Sequence, residues 1–184
     1  MIDSKKLSKD LSDVQDGIIA LLEINANESF EANLASISYL IKNNDVGIIL
    51  SASRPYSNII NLYSKNKIDV NKLFFLDLVS KSHHAEVKAD NVTYLENVSA
   101  LTDISLALSE AIKNFKGKKF VFIDSITTML IHNEPYVFAR FIHSILTRMR
   151  LNGVGGVLIS LTDSSNYDLR AEIAQICDKV IKIE

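Results

Sequence analysis

Two kinds of apolar run alternate along this chain. Short, near-continuous runs rich in Ile, Leu, Val and Phe predict strands over 17–24 (GIIALLEI), 46–50 (VGIIL), 73–79 (LFFLDLV), 92–95, 119–124 (KFVFID), 154–161 and 179–183. Between them lie stretches with apolar residues three or four apart, which predict helices. The first covers 28–43, with Phe30, Leu34, Ile37 and Leu40/Ile41 on one face. The second covers 56–67, with Ile59, Ile60 and Tyr63, and the third 101–115, with Ile104, Leu108 and Ile112. The fourth, 134–150, repeats Val137, Phe141, Ile145 and Met149 every four residues, flanked by Phe138, Ile142 and Leu146. A last helix is predicted over 168–175.

Near-continuous apolar strands separated by helices indicate a mainly parallel sheet covered on both faces. Helical crossovers are required because parallel strands cannot be joined by tight turns. The expected fold class is therefore α/β, a three-layer α/β/α sandwich with a sheet of about seven strands. The expected organisation is one domain over 1–184, with 1–16 as an N-terminal extension and 81–91 as a long polar loop. Ligands of such sheets bind beyond the carboxyl ends of the strands, so chemistry is sought at that edge.

Four stretches, in order, resemble one family. They are SRPYSNIINLYSKNKIDVNKLFFLDLVS, VTYLENVSALTDISLALSEAIKNF, FVFIDSITTMLIHNEPYVFARFIHSILTRMRLNGVGGVLISL and AQICDKVIKIE. They are similar to the archaeal KaiC-like branch of the RecA ATPase superfamily, whose sheet is of the P-loop NTPase type. The resemblance implies a glycine-rich phosphate loop after the first strand, a magnesium-binding Asp at the end of the KFVFID strand, and a catalytic acid after the second strand.

Two of these three features are missing. Glycines in a phosphate loop let backbone N–H groups approach the phosphates, a Lys adds charge, and a Ser or Thr holds magnesium. The residues following IIALLEI are Asn25, Ala26, Asn27, Glu28, Ser29, Phe30 and Glu31, with no glycine and no lysine. Glu28 and Glu31 are expected where phosphates would lie. A carboxylate about 4 Å from a phosphate charge costs roughly 1–4 kcal/mol at surface-like dielectric constants. Two acids at a helix N-terminus also complement the helix dipole themselves. Asn27 is expected to cap that helix. After the second strand the chain reads Ser51, Ala52, Ser53, Arg54, Pro55, with no carboxylate. Asp124 is retained, and its plainer reading is a cap on the turn into SITT. Asn27, Glu28, Ser29 and Asp124 are thus the candidate residues of a degenerate nucleotide site.

Other candidates reduce to ordinary roles. Adjacent His83 and His84, near Glu86 and Asp90, diverge in a loop and make no metal set. His132 and His143 stand alone, and Ser125, Thr127 and Thr128 lack a glycine-flanked nucleophile elbow. Arg140, His143, Arg148 and Arg150 read as a solvated basic face. NGVGG at 152–156 precedes a strand and reads as a helix stop and turn. Cys177 beside Ile176 reads as an inert thiol.

Composition narrows the function classes. The chain is 47% apolar and 23% charged, ordinary for a globular protein. A net charge of -2 offers no basic field for phosphate backbones. The lone Cys177 forms no internal disulfide and fits a reducing compartment. The N-terminus has no apolar signal core, and no run approaches the roughly 20 residues of a membrane span. The expectation is a cytoplasmic, non-catalytic KaiC/RecA-like module without a cofactor, working through a protein partner or as a homo-oligomer in signalling or assembly. Nucleotide, nucleic acid and membrane are not expected partners. The alternatives are an atypical ATP binder or slow ATPase, completed by basic groups of a neighbouring subunit, and an interaction domain of a DNA-recombination system.

Overall fold

Residues of a single strand face two separate cores. In β5 (Lys119–Asp124), Phe120 and Phe122 pack into one apolar cluster while Val121 and Ile123 pack into the other. This period of two, with both faces apolar, makes the strand a central one. The computed structural model describes residues 3–162 and 167–183. The remaining strands are β1 (Ile19–Ile24), β2 (Val46–Ser51), β3 (Leu73–Asp77), β4 (Val92–Tyr94), β6 (Gly155–Leu161) and β7 (Lys179–Ile183). They form one sheet in the order β4-β3-β2-β5-β6-β1-β7, and every pairing is parallel.

The helices are α1 (Ser4–Asp10), α2 (Ser29–Asn43), α3 (Tyr56–Lys65), α4 (Leu101–Asn114), α5 (Ile126–Ile131), α6 (Pro135–Leu151) and α7 (Tyr167–Ile176). Leu7, Ile37, Leu40, Ile59 and Tyr63 of α1, α2 and α3 cover one face of the sheet. Ile104, Leu108, Met129, Phe138, Ile142 and Ile173 of α4 to α7 cover the other. The expected three-layer α/β/α sandwich is therefore the observed one, and every predicted strand and helix has its counterpart.

Four local features differ from the expectation. The segment read as an extension carries α1 and a 3-10 turn, and its Leu7, Leu11 and Val14 are buried in the core. Asp3 caps α1, accepting from the backbone N–H groups of Lys5 and Lys6. A short helix, α5, follows β5 directly and is capped by Ser125, whose Oγ accepts from the Thr128 N–H at 3.2 Å. Val137 lies outside the buried stripe of α6, 51% exposed, while Phe138, Phe141, Ile145 and Met149 form it. Glu134 caps that helix and Pro135 fills its first turn.

NGVGG is only partly a turn. Gly153 has φ +64 just beyond α6, but Gly155 and Gly156 already belong to β6. A Cβ on Gly155 would lie 1.8 Å from the Val14 carbonyl oxygen. The glycine is there because the N-terminal turn crosses the start of β6 at backbone contact.

Candidate functional site

At the carboxyl edge of the sheet, the ends of β2, β5 and β6 and the helices α2, α3 and α5 enclose a cleft of about 240 Å³. Asp124 ends β5 and forms part of its wall. Its backbone carbonyl accepts from the Ala52 N–H at 2.7 Å, which ties β5 to the exit of β2. Its side chain does not cap the following turn, since Ser125 does that. Instead the Asn33 side-chain amide donates to Asp124 Oδ2 at 2.9 Å. Asn33 Oδ1 in turn accepts from the Tyr63 hydroxyl at 2.8 Å. Asn33 and Tyr63 are buried, 7% and 4% exposed. The three residues form a relay from α3 through α2 to β5.

Burial pushes the Asp124 carboxyl up to about 6, and the nearby Arg54 guanidinium pulls it back down. Burial also raises the Tyr63 phenol, and the Asp124 charge raises it further. Tyr63 therefore serves the relay as a neutral donor.

Arg54 enters the cleft from the turn after β2. Two buried groups hold that turn. Ser51 Oγ donates to the Arg54 carbonyl oxygen at 2.7 Å. Asp77, fully buried at the end of β3, accepts from the N–H groups of Tyr56, Val79 and Ser80 at 2.6, 2.7 and 2.9 Å and from the Ser80 hydroxyl. A carboxylate with four donors is a structural anchor, here fixing the start of α3. The Arg54 guanidinium lies 5.2 Å from the centroid of the Phe30 ring. Among the described residues it has no ion-pair or hydrogen-bond acceptor. Ser53, Thr128 and Ser125 line one wall, with Thr128 Oγ1 at 3.1 Å from Ser53 Oγ and 3.0 Å from Ser125 Oγ.

The four candidate residues part company here. Ser29 and Asp124 line the cleft, whereas Asn27 and Glu28 do not. Asn27 is exposed and makes no cap; Glu28 occupies the cap position of α2 without a side-chain cap bond. Ser29 Oγ donates to the Ala26 carbonyl oxygen at 2.8 Å. Glu31, in the first turn of α2, also lies outside the cleft lining. Among the described residues the lining of this cleft holds one acid, Asp124, and one cation, Arg54, and neither Glu28 nor Glu31. Sequence reasoning missed Asn33, Arg54 and Tyr63. An Asn on the apolar face of an amphipathic helix was the available signal for the first.

The connection from β1 to α2 spans residues 25–28 alone, most of it a 3-10 turn over Ala26–Glu28. A phosphate loop of the G-x-x-x-x-G-K-[ST] kind needs more chain and left-handed backbone freedom to curl its N–H groups around an anion.

The other candidates stay apart from this edge. His83, His84, His132 and His143 are exposed, and no cluster of metal-ligating side chains occurs among the described residues. Arg148 donates to the Ser105 carbonyl oxygen, and Arg150 to Asp178 and the Ile176 carbonyl oxygen. Burial pushes the Cys177 thiol up to about 12, so it is not a nucleophile at neutral pH. Among the described residues no helix is long and apolar enough to cross a membrane.

A parallel sheet in this order, with an Asp at the end of its central strand facing a cleft, defines a RecA-like domain of the P-loop NTPase type. The chain matches the model of the KaiC ATPase family over residues 33–184, most of its length, and belongs to that family. The match begins inside α2, past the β1–α2 connection. No curated protein matches the chain. Among solved structures it is similar to an uncharacterised protein from Pyrococcus horikoshii, crystallised in complex with an unknown peptide. The two share 17% identity and a TM-score of 0.72, over 97% of this chain and 82% of the other. That likeness is one of fold.

Proposed function

We propose that this chain is a non-hydrolysing member of the KaiC family, a regulatory or scaffolding module that works through protein contacts in the cytoplasm. The observation that carries this reading is the Asn33 amide on Asp124 Oδ2. Magnesium in nucleotide sites takes one or two carboxylates and completes its octahedron with water and phosphate oxygens. Here the carboxylate oxygen already accepts from an amide, and the phosphate side offers a short turn without glycine or lysine. A protein-binding role is supported by apolar side chains left uncovered on α4, α5 and α6: Leu106 (58% exposed), Ile131 (70%), Tyr136 (69%) and Val137 (51%).

One observation favours a second reading, an atypical ATP binder: Arg54 presents to the cleft a cation with no acceptor among the described residues. The cleft volume, about 240 Å³, lies below the roughly 300–1,000 Å³ that drug-sized ligands occupy, which favours the first reading.

The test is phosphate release from ATP and magnesium by the wild type and by Asp124→Asn. Equal rates, at the level of a protein-free control, are expected. Magnesium-dependent release by the wild type that Asp124→Asn abolishes would sink the proposal.

A further inference from the structure

Arg54 and Asp124 carry opposite charges into the same cleft, yet they form no ion pair. Each has unused hydrogen-bonding capacity. The guanidinium lies over the Phe30 ring with no acceptor among the described residues, and Asp124 Oδ1 has no protein donor among them. A ligand that reaches both could pair each with an opposite charge through charge-assisted hydrogen bonds.

The chemistry of that ligand follows by elimination. A phosphate ester or dicarboxylate would place a second anion beside Asp124. A simple cation would meet Arg54. A neutral sugar would leave the guanidinium without an anion. A zwitterion cancels both charges. An Arg fork grips a carboxylate bidentately. Asp124 Oδ1 suits an ammonium, and the hydroxyls of Ser53 and Thr128 belong to the same lining. Ile59, Leu62 and Leu161 supply the apolar part of the lining.

We infer that this cleft binds a free α-amino acid with an apolar side chain, its carboxylate on Arg54 and its ammonium on Asp124 Oδ1. The inference rests on the reading that no triphosphate occupies this edge.

Calorimetric titration of the full chain with L-leucine, L-valine and L-methionine tests it, alongside N-acetyl-leucine and leucinamide, each of which lacks one charge. Free amino acids are expected to bind, and each blocked derivative to bind roughly ten- to hundredfold more weakly, the factor of one charged hydrogen bond. Arg54→Ala, at an exposed position, and Asp124→Asn should weaken L-leucine by a similar factor while retaining a cooperative melt. Blocked derivatives binding as well as L-leucine would overturn the zwitterion assignment. Silence of every free amino acid, with magnesium-ATP also silent, would overturn this inference and leave the non-hydrolysing reading standing. Magnesium-ATP binding that displaces L-leucine would overturn the non-nucleotide reading while supporting the amino-acid site.

Discussion

The Asn33 amide and the Asp124 carboxylate, 91 residues apart in sequence, meet at 2.9 Å in the lining of the cleft. Asn33 lies one turn into α2, and Asp124 is the last residue of β5. Tyr63 on α3 holds the amide from behind. An acid that in a nucleotide site would face a metal is here engaged by a neutral donor from the helix over it. Each side chain on this relay bears on both the stability of the edge and what it can bind.

The elevated Asp124 makes stability depend on pH. A carboxyl near 6 when folded and 3.8 when unfolded holds its proton longer in the native state. Its favourable contribution is complete below the unfolded value and is lost as pH rises through about 6. Asp124→Asn carries no such dependence. Urea unfolding should show the variant gaining on the wild type between pH 4 and pH 8, by up to about 3 kcal/mol. A difference that does not change with pH would contradict the assignment.

Asp77 anchors the turn that delivers Arg54. Removing its carboxylate leaves the N–H groups of Tyr56, Val79 and Ser80 without acceptors. Asp77→Ala should cost about 3–5 kcal/mol, since each buried donor left unsatisfied costs about 1–3. Chemical denaturation measures this, and a loss under 1 kcal/mol would show that the turn finds other partners.

Gly155→Ala tests the crossing of the N-terminal turn over β6. The added methyl would fall 1.8 Å from the Val14 carbonyl oxygen and 2.8 Å from that of Ile18, both backbone atoms. Overpacking of this kind costs typically 1–3 kcal/mol and occasionally more. We expect at least about 3 kcal/mol by urea unfolding, and a neutral variant would mean that the turn does not sit on the strand.

Cys177 should resist thiol reagents in the folded protein. With its thiol at about 12, little thiolate exists at neutral pH. Modification at pH 7.5 should run at least about a hundredfold slower in native protein than in urea. Equal rates would place the thiol in solvent.

How legible all this was differs by element. The sheet was legible because its core strands, KFVFID among them, are short near-continuous apolar runs, as expected of strands whose alternate residues, here Phe120 and Phe122 against Val121 and Ile123, face two cores. α1 was not, because Leu7 is its one buried apolar side chain and its partners Leu11 and Val14 lie beyond its end. α5 escaped notice because a single turn and a half with Ile126, Thr127 and Thr128 is rich in β-branched residues. At the site, Asp124 was legible from its place after an apolar strand. Asn33, Arg54 and Tyr63 were not, since only the tertiary crossing of α2, α3 and the β2 exit brings them to it. Glu28 and Glu31 lie outside the cleft lining, because nearness in sequence to the first strand does not direct a side chain into it.

Calorimetric titration with ATP and magnesium bears most directly on the claim that this edge cannot cradle a triphosphate. The β1–α2 turn without glycine or lysine and the Asn33 amide on Asp124 Oδ2 predict no binding, or binding weaker than about 1 mM, equivalent to about 4 kcal/mol. Micromolar, magnesium-dependent affinity that falls on Asp124→Asn substitution would contradict it.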